Sequence, residues 1–181
     1  MIKEYNNIFN EEQKDYLKQE LILNSSFPFY FNQRSITKGK NRDYFPLFTH
    51  KILNRPEDVE EEKNRINSNY YDYFFELFKD LSKQHNFKYS KLLRVCVNFT
   101  FNSNEKKCPI HVDHKYPHKQ LLIYIHNDDL NSFTFIYDKE GKKLLKKIVP
   151  TANKGVLWNG SPHYHLTPKK GYRIVLIYTF K

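Results

Sequence analysis

Six of the eight histidines lie between residues 111 and 165, and two short motifs there could bind a metal. In CPIHVDH, His111 and Asp113 are two residues apart, so on an extended strand their side chains point to the same face. About fifty residues later, SPHYH offers another imidazole from His163 or His165. Two imidazoles and one carboxylate on one face form a ligand set that suits iron(II). The spacing therefore predicts an iron site with open coordination positions.

An arginine follows the histidine pair at the head of the last apolar run, YRIVLIYTF. Non-haem iron(II) oxygenases use the open positions of such a triad, and a 2-oxoglutarate molecule and dioxygen would fill them here. The distal carboxylate of 2-oxoglutarate then needs a partner, and a guanidinium can pair with it through two hydrogen bonds. Arg173 is therefore predicted to hold the cosubstrate.

Length and composition limit the class of protein. A chain of 181 residues with 39% hydrophobic and 17% aromatic residues predicts one globular domain. The net charge of +10 attracts polyanions or acidic peptides without selecting between them, so nucleic acid stays a possible partner. Cys96 and Cys108 form no CxxC motif, which excludes a disulfide framework and favours a reduced, cytoplasmic compartment, the host cytoplasm if a virus encodes the chain. No apolar run is long enough for a membrane span, so no membrane partner is expected.

The first ninety residues predict two helices separated by extended segments. NEEQKDYLKQELIL predicts a helix capped by Asn10, and the apolar spacing predicts a longer helix from Pro56 to about His85. FPFYFNQ is predicted to be a buried extended segment, DYFPLFTHKIL another extended segment, and ITKGKNRD a surface loop.

After residue 90 the apolar period changes to two, which is typical of strands. LLRVCVNFTF, KQLLIYIH, SFTFIYD, KGVLW and YRIVLIYTF are predicted strands, and KEGKKLLKK a solvated hairpin tip. The organisation is α+β, compatible with a jelly roll. We expect a single domain over residues 1–181, with 1–90 as mainly helical support and 91–181 as the jelly-roll core that carries the metal site.

In this order, the motifs resemble those of the 2-oxoglutarate and Fe(II)-dependent dioxygenases, in particular compact prolyl-4-hydroxylase-like proteins often encoded by phages. The segments that carry the resemblance are FPFYF, LLRVCVNF, PIHVDHKYPHKQLLIYIHND and HYHLTPKKGYRIVLIYTF. The resemblance implies a double-stranded β-helix (jelly-roll) core with N-terminal helices packed on one face. It also implies Fe(II), 2-oxoglutarate as cosubstrate, O2, and ascorbate as an optional reductant.

Carried over by position, the resemblance implies that His111 and Asp113 are iron ligands and that Arg173 pairs with the C5 carboxylate of 2-oxoglutarate. Tyr124 matches a position where the family commonly has a cosubstrate-binding tyrosine, with a role in core packing as the alternative. Asn98 matches a frequent asparagine near the cosubstrate pocket. No catalytic residue beyond the metal site is implied.

The distal iron ligand is ambiguous because His163 and His165 alternate on one strand. The family's usual spacing favours His163, ten residues before Arg173, over His165, eight residues before it. A departure from the family pattern lies in DDLNSFTF, where many relatives have a glycine turn.

The activity that the resemblance implies is hydroxylation of an unactivated C–H bond, with a protein or peptide side chain as substrate and proline favoured. A nucleobase or nucleotide hydroxylase is one alternative, supported by the basic charge and by the many aromatic residues. A non-catalytic jelly-roll module that binds metal without turnover is the other.

Overall fold

The computed structural model of the protein describes residues 1–34 and 44–181. Within this part of the chain, the helices are α1 (Glu11–Lys18), which continues as a π-helical turn over Gln19–Leu23, and α2 (Tyr71–Gln84). The strands, in chain order, are β1 (Ile2–Asn6), β2 (Tyr30–Asn32), β3 (Leu47–Leu53), β4 (Leu92–Phe101), β5 (Lys119–Asn127), β6 (Thr134–Tyr137), β7 (Leu144–Ile148), β8 (Lys154–Asn159), β9 (His163–His165) and β10 (Tyr172–Phe180).

The strands form two antiparallel sheets. The major sheet has the strand order β1-β8-β5-β10-β4-β3-β2, and the minor sheet has the order β7-β6-β9. Buried residues of both sheets form one apolar cluster, in which Leu122 and Val175 of the major sheet meet Ile136 and Ile148 of the minor sheet. This arrangement of a large antiparallel sheet against a smaller one is consistent with the predicted jelly roll.

The other face of the major sheet is also apolar, because successive side chains of a strand point to opposite faces. A second buried cluster contains Ile123 of β5 and Leu176 of β10 together with Leu17 of α1 and Phe78 of α2. In residues 1–34 and 44–181, neither helix is long and apolar enough to cross a bilayer.

The structure corrects the predicted helix from Pro56 to about His85. This segment begins with two 3-10 turns, Pro56–Asp58 and Glu62–Arg65, and α2 starts only at Tyr71. Between the second turn and α2, Ile66 is extended and forms a β-bridge with Leu53. Arg65 is buried and donates to the carbonyl oxygens of Leu92 and Leu93, contacts that hold this stretch against β4.

Residues 1–90, expected to be mainly helical support, also contribute three strands, β1, β2 and β3, to the major sheet. FPFYFNQ is extended at β2 as expected, but Tyr30 and Phe31 are exposed because β2 is an edge strand. The predicted cap of the first helix is confirmed, since the Asn10 side chain accepts from the Gln13 amide. The predicted loop ITKGKNRD lies outside the described residues.

The predicted hairpin tip KEGKKLLKK is shorter than expected. The turn contains Gly141, whose positive φ of 72° suits a glycine. The chain then returns as β7 from Leu144, which pairs with Tyr137 of β6. The second half of the segment is therefore an exposed strand of the minor sheet.

Candidate metal and cosubstrate site

The side chains of His111, Asp113 and His163 converge at one end of the minor sheet. Their possible ligand atoms all lie within 4.8 Å of one another. His163 is the first residue of β9, and its backbone amide and carbonyl each form a 3.0 Å hydrogen bond with those of His111. This bridge places the two imidazole rings with their centroids 4.5 Å apart. Asp113, two residues after His111, reaches the same place.

The ring nitrogens of both histidines are oriented by backbone carbonyls. Nδ1 of His111 lies 2.9 Å from the carbonyl oxygen of Pro109, and Nδ1 of His163 lies 2.9 Å from that of Ser161. A carbonyl oxygen only accepts, so each Nδ1 carries the proton and each Nε2 keeps its lone pair. This is how metal-binding histidines are commonly held. Both imidazoles are therefore prepared to bind a cation through Nε2.

Two arginines hold the carboxylate of Asp113, whose side chain is only 3% exposed. Its Oδ1 accepts from Arg55 at 2.6 Å and from Arg94 at 2.7 Å, while Oδ2 faces Nε2 of His163 at 3.7 Å. Burial alone would raise the pKa of Asp113, but the surrounding cationic groups, with Arg94 as the largest contributor, outweigh burial and hold that pKa well below its usual range. Asp113 is thus ionised, and one of its oxygens is directed at the histidines.

His163 is neutral at physiological pH. Burial, with a smaller contribution from the charge of His111, lowers the pKa of His163 to about 4. A neutral imidazole is the form that binds a metal. Two imidazoles and one carboxylate fit an Fe(II) site.

His165 lies outside this group. Its Nδ1 is 3.2 Å from Sγ of Cys108, and its ring packs edge-on against Phe45. Its Nε2 is buried and has no partner among the described residues. Burial, reinforced by the charge of Arg173, lowers the pKa of His165 well below the ordinary value. The structure thus places His163 beside Asp113 and places His165 against Cys108 and Phe45.

Arg173 is a buried cation on β10. The residue is 1% exposed, and its Nη1 donates to the carbonyl oxygen of Ser132 at 3.0 Å. Within residues 1–34 and 44–181 its Nε has no partner, and no acidic side chain pairs with it. Because a buried charge without a partner is costly, this guanidinium is suited to an anion that enters the fold.

Tyr124 and Asn98 lie on the strands that flank Arg173. In the register of the major sheet, Val175 of β10 pairs with Tyr124 on one side and Asn98 on the other. The hydroxyl of Tyr124 donates to Thr134 Oγ1 at 2.7 Å, and burial raises the pKa of Tyr124 to about 12. Asn98 Oδ1 accepts from the Thr49 hydroxyl at 2.7 Å. Both are therefore near the predicted cosubstrate position, and both have protein partners.

Buried polar atoms without partners test whether this interior fits a ligand. Of the seven such atoms in the described residues, four belong to β5, β8, β9 and β10: Gln120 Oε1, Trp158 Nε1, His165 Nε2 and Arg173 Nε. Such atoms are rare in folded proteins and require an explanation. A small dicarboxylate that pairs with Arg173 would fit this set.

Sequence reasoning missed the residues that anchor the metal loop. His114 Nδ1 lies 2.6 Å from Glu57 Oε1, and its Nε2 lies 2.7 Å from the Thr179 hydroxyl. Together with the contacts of Arg55 and Arg94, these bonds fix both sides of Asp113. Arg94 could have been suspected, because it is a charged residue in the apolar strand LLRVCVNFTF.

No protein-family model and no curated protein matches the sequence. Solved structures do match the fold. A 2OG-Fe(II) oxygenase family protein from Burkholderia pseudomallei has a TM-score of 0.73 at 10% identity, covering 99% of this chain and 84% of that one. A prolyl hydroxylase from Trichoplax adhaerens has a TM-score of 0.65 at 17% identity, covering 99% and 82%.

A viral collagen prolyl hydroxylase from Paramecium Bursaria Chlorella virus-1 has a TM-score of 0.54 at 13% identity, covering 98% of this chain and 94% of that one. The fold is that of the 2-oxoglutarate and Fe(II) oxygenases. At these identities the likeness concerns the fold, and the chemistry has to be argued from the residues of this chain. The His111, Asp113 and His163 group gives that argument its starting point.

Proposed function

We propose that the protein is a 2-oxoglutarate and Fe(II)-dependent dioxygenase that hydroxylates an unactivated C–H bond. His111, Asp113 and His163 would bind the iron, and Arg173 would pair with the distal carboxylate of 2-oxoglutarate. The observation that carries the proposal is that a buried guanidinium without an acidic partner in the described residues accompanies an oriented His-Asp-His group. When bound, iron and 2-oxoglutarate supply the activation of dioxygen and an oxidative decarboxylation that yields succinate.

The chain's own residues would bind the iron and the cosubstrate, orient the ligand atoms and exclude water. The carbonyl groups of Pro109 and Ser161 hold the two histidines with Nε2 available. Arg55 and Arg94 occupy one oxygen of Asp113 and so direct the other oxygen at the metal position. The major sheet keeps Arg173 buried, and in such a low-dielectric interior its attraction for a carboxylate would be strong.

A protein or peptide side chain is the proposed substrate, with proline favoured. The Trichoplax adhaerens prolyl hydroxylase was solved in complex with a peptide fragment of the hypoxia inducible factor oxygen degradation domain, and the Chlorella virus protein is a collagen prolyl hydroxylase. In this chain, Ile110 and Val112 flank His111 and are about half exposed, so an extended peptide could contact them beside the metal. Cys96 and Cys108 are buried and form no disulfide with each other, which agrees with a reduced, cytoplasmic compartment.

The test is a turnover assay that follows succinate formation from 2-oxoglutarate with Fe(II), ascorbate and a mixture of proline-containing peptides. His111→Ala, Asp113→Ala and Arg173→Ala should each abolish most of the turnover of the wild-type protein. His126→Ala is the matched control, because this histidine contacts Asp128 and Tyr172 and lies outside the group. Wild-type turnover that survives in His111→Ala and Asp113→Ala would contradict the proposal.

A further inference from the structure

A cleft of about 780 Å³ opens beside the metal group. Val112, the residue between His111 and Asp113, lines this cleft, and so does Pro162, the residue before His163. A chain segment bound in the cleft would therefore lie next to the residues that hold the metal. The cleft is thus placed where part of a substrate would bind.

The charge of the cleft is positive. Four lysines line it, Lys115, Lys119, Lys139 and Lys181, and among the described residues none that lines it is acidic. In the described part of the chain none of the four forms an ion pair, whereas seven lysines elsewhere pair with glutamate. Lysines that converge on a concave surface without acidic partners concentrate positive potential there.

The neighbouring carboxylate of Glu57 does not neutralise these lysines by contact. Its two oxygens accept from His114 and from the hydroxyl of Tyr116. Of the cleft lysines, Lys119 donates to the Lys88 carbonyl oxygen at 3.3 Å, and Lys181 lies over the Tyr116 ring. The ammonium groups of Lys115 and Lys139 are on exposed side chains. They are therefore available to an acidic ligand.

The floor of the cleft is built from a buried histidine under a glycine. Nδ1 of His118 lies 2.9 Å from the Tyr116 carbonyl oxygen, and its Nε2 has no partner among the described residues. A Cβ on Gly160 would lie 2.0 Å from that Nε2. The glycine thus permits the close approach of the ring and keeps side-chain bulk off the floor.

The lining favours a peptide over a nucleic acid. Among the lining residues the single phenol ring belongs to Tyr116, and the His114 ring stacks on it at 5.0 Å while Lys181 lies over it. Single-stranded nucleic acids need open aromatic faces on which bases stack. Pro117, Pro162 and Val112 instead give apolar walls between the lysines, which suit the stems of peptide side chains. In residues 1–34 and 44–181, no arginine, the residue best matched to phosphate, lines the cleft.

We propose that this cleft binds an acidic segment of the peptide substrate, next to the residue that is hydroxylated. The proposal rests on the proposed function, since it specifies the substrate class of the same site. Glutamate or aspartate side chains of the substrate would take the place of the acidic partners that the four lysines lack. Specificity would then come from charge beside the target residue as well as from the target residue itself.

The test compares two fluorescein-labelled peptides of equal length, each with one central proline, flanked by glutamates in one and by glutamines in the other. Anisotropy is measured with Mn(II)-loaded protein and 2-oxoglutarate under argon. Because exposed ion pairs each contribute modestly, the glutamate peptide should bind about tenfold more tightly at low salt. The difference should shrink at high salt, where the lysines are screened.

The variant Lys115→Gln/Lys139→Gln should weaken binding of the glutamate peptide about fivefold and leave the glutamine peptide unchanged. Its matched control is Lys18→Gln/Lys83→Gln, which removes the same charge at exposed lysines outside the cleft and should change neither peptide. Equal binding of the two peptides by the wild-type protein, or equal losses in both double variants, would overturn the proposal.

A labelled oligothymidylate serves as the competing probe. If it binds more tightly than the glutamate peptide and loses affinity in the cleft variant, the cleft is a nucleic-acid site and the peptide proposal is overturned. Uncoupled 2-oxoglutarate turnover without peptide should be unchanged in the cleft variant. Absence of iron-dependent turnover together with selective glutamate binding would overturn the proposed function and leave the acidic-peptide cleft standing.

Discussion

Replacement of Arg173 by methionine separates the cost of a buried charge from its use in binding. The guanidinium is 1% exposed and pairs with no acidic side chain in residues 1–34 and 44–181. A methionine side chain can occupy much of the space of the arginine side chain and carries no charge. In the absence of 2-oxoglutarate, Arg173→Met should therefore be more stable than the wild type by about 2 kcal/mol. For a chain of this size, that corresponds to a rise in Tm of about 4–8 °C.

With 2-oxoglutarate present, the wild-type protein should be the more stable of the two. At a concentration about 100 times its Kd, 2-oxoglutarate should stabilise the Mn(II)-loaded wild-type protein by about 2.7 kcal/mol. Arg173→Met cannot form the buried ion pair with 2-oxoglutarate, and its loss should cost about 3 kcal/mol of binding free energy. The Kd for 2-oxoglutarate should therefore rise about 100-fold, and most of the Tm shift should disappear. Thermal unfolding followed by circular dichroism, with calorimetric titration of 2-oxoglutarate, measures both effects. A variant that keeps the wild-type Tm shift, or that unfolds several degrees lower without cosubstrate, would refute the reasoning.

Three further results are expected. His163→Ala should abolish iron-dependent succinate formation, while His165→Ala should keep much of it. The opposite outcome would make His165 the iron ligand instead of His163. Arg94→Met should weaken Mn(II) binding roughly tenfold in a chelator competition, because Asp113 loses one of the groups that fix it; unchanged affinity would exclude this role. In metal-free protein the pKa of His163 is about 4, below the value of about 6.5 in an unfolded chain. Between these values only the unfolded chain binds the proton, so His163 should contribute a loss of about 3 kcal/mol of stability as the pH drops from about 6.5 to 4. Urea unfolding of His163→Leu should show a smaller fall over this range, and an equal fall would contradict the assignment.

The strands of the jelly roll could be predicted because their burial is periodic. In β10, Ile174 and Leu176 pack on the outer face of the major sheet, while Val175 and Ile177 pack on the inner face. The strand β1 could not be predicted, because IKEYN has one buried residue and gains its place by pairing with β8, about 150 residues away. The late start of α2 likewise depends on a distant contact, the bonds of Arg65 to the β4 backbone.

The site was predictable to the extent that its chemistry depends on residue type. The imidazole of His111 and the carboxylate of Asp113 indicate a metal by their type and spacing, and the guanidinium of Arg173 indicates an anion. The orienting partners could not be found in this way, because Arg55 and Arg94 reach Asp113 across 58 and 19 residues of sequence. Arg94 stands out as a charge in an apolar strand, whereas Arg55 is equally compatible with a solvated surface charge, and only the fold shows that both contact Asp113.

The most direct test of the central claim is an anaerobic titration of the protein with Fe(II) and 2-oxoglutarate, followed by visible absorption. If His111, Asp113 and His163 hold iron and Arg173 holds the cosubstrate, a charge-transfer band should develop with a stoichiometry of one iron per chain. The band should be absent in Asp113→Ala and should need far more 2-oxoglutarate in Arg173→Met. A wild-type protein that binds iron stoichiometrically yet shows no band at saturating 2-oxoglutarate would contradict the account.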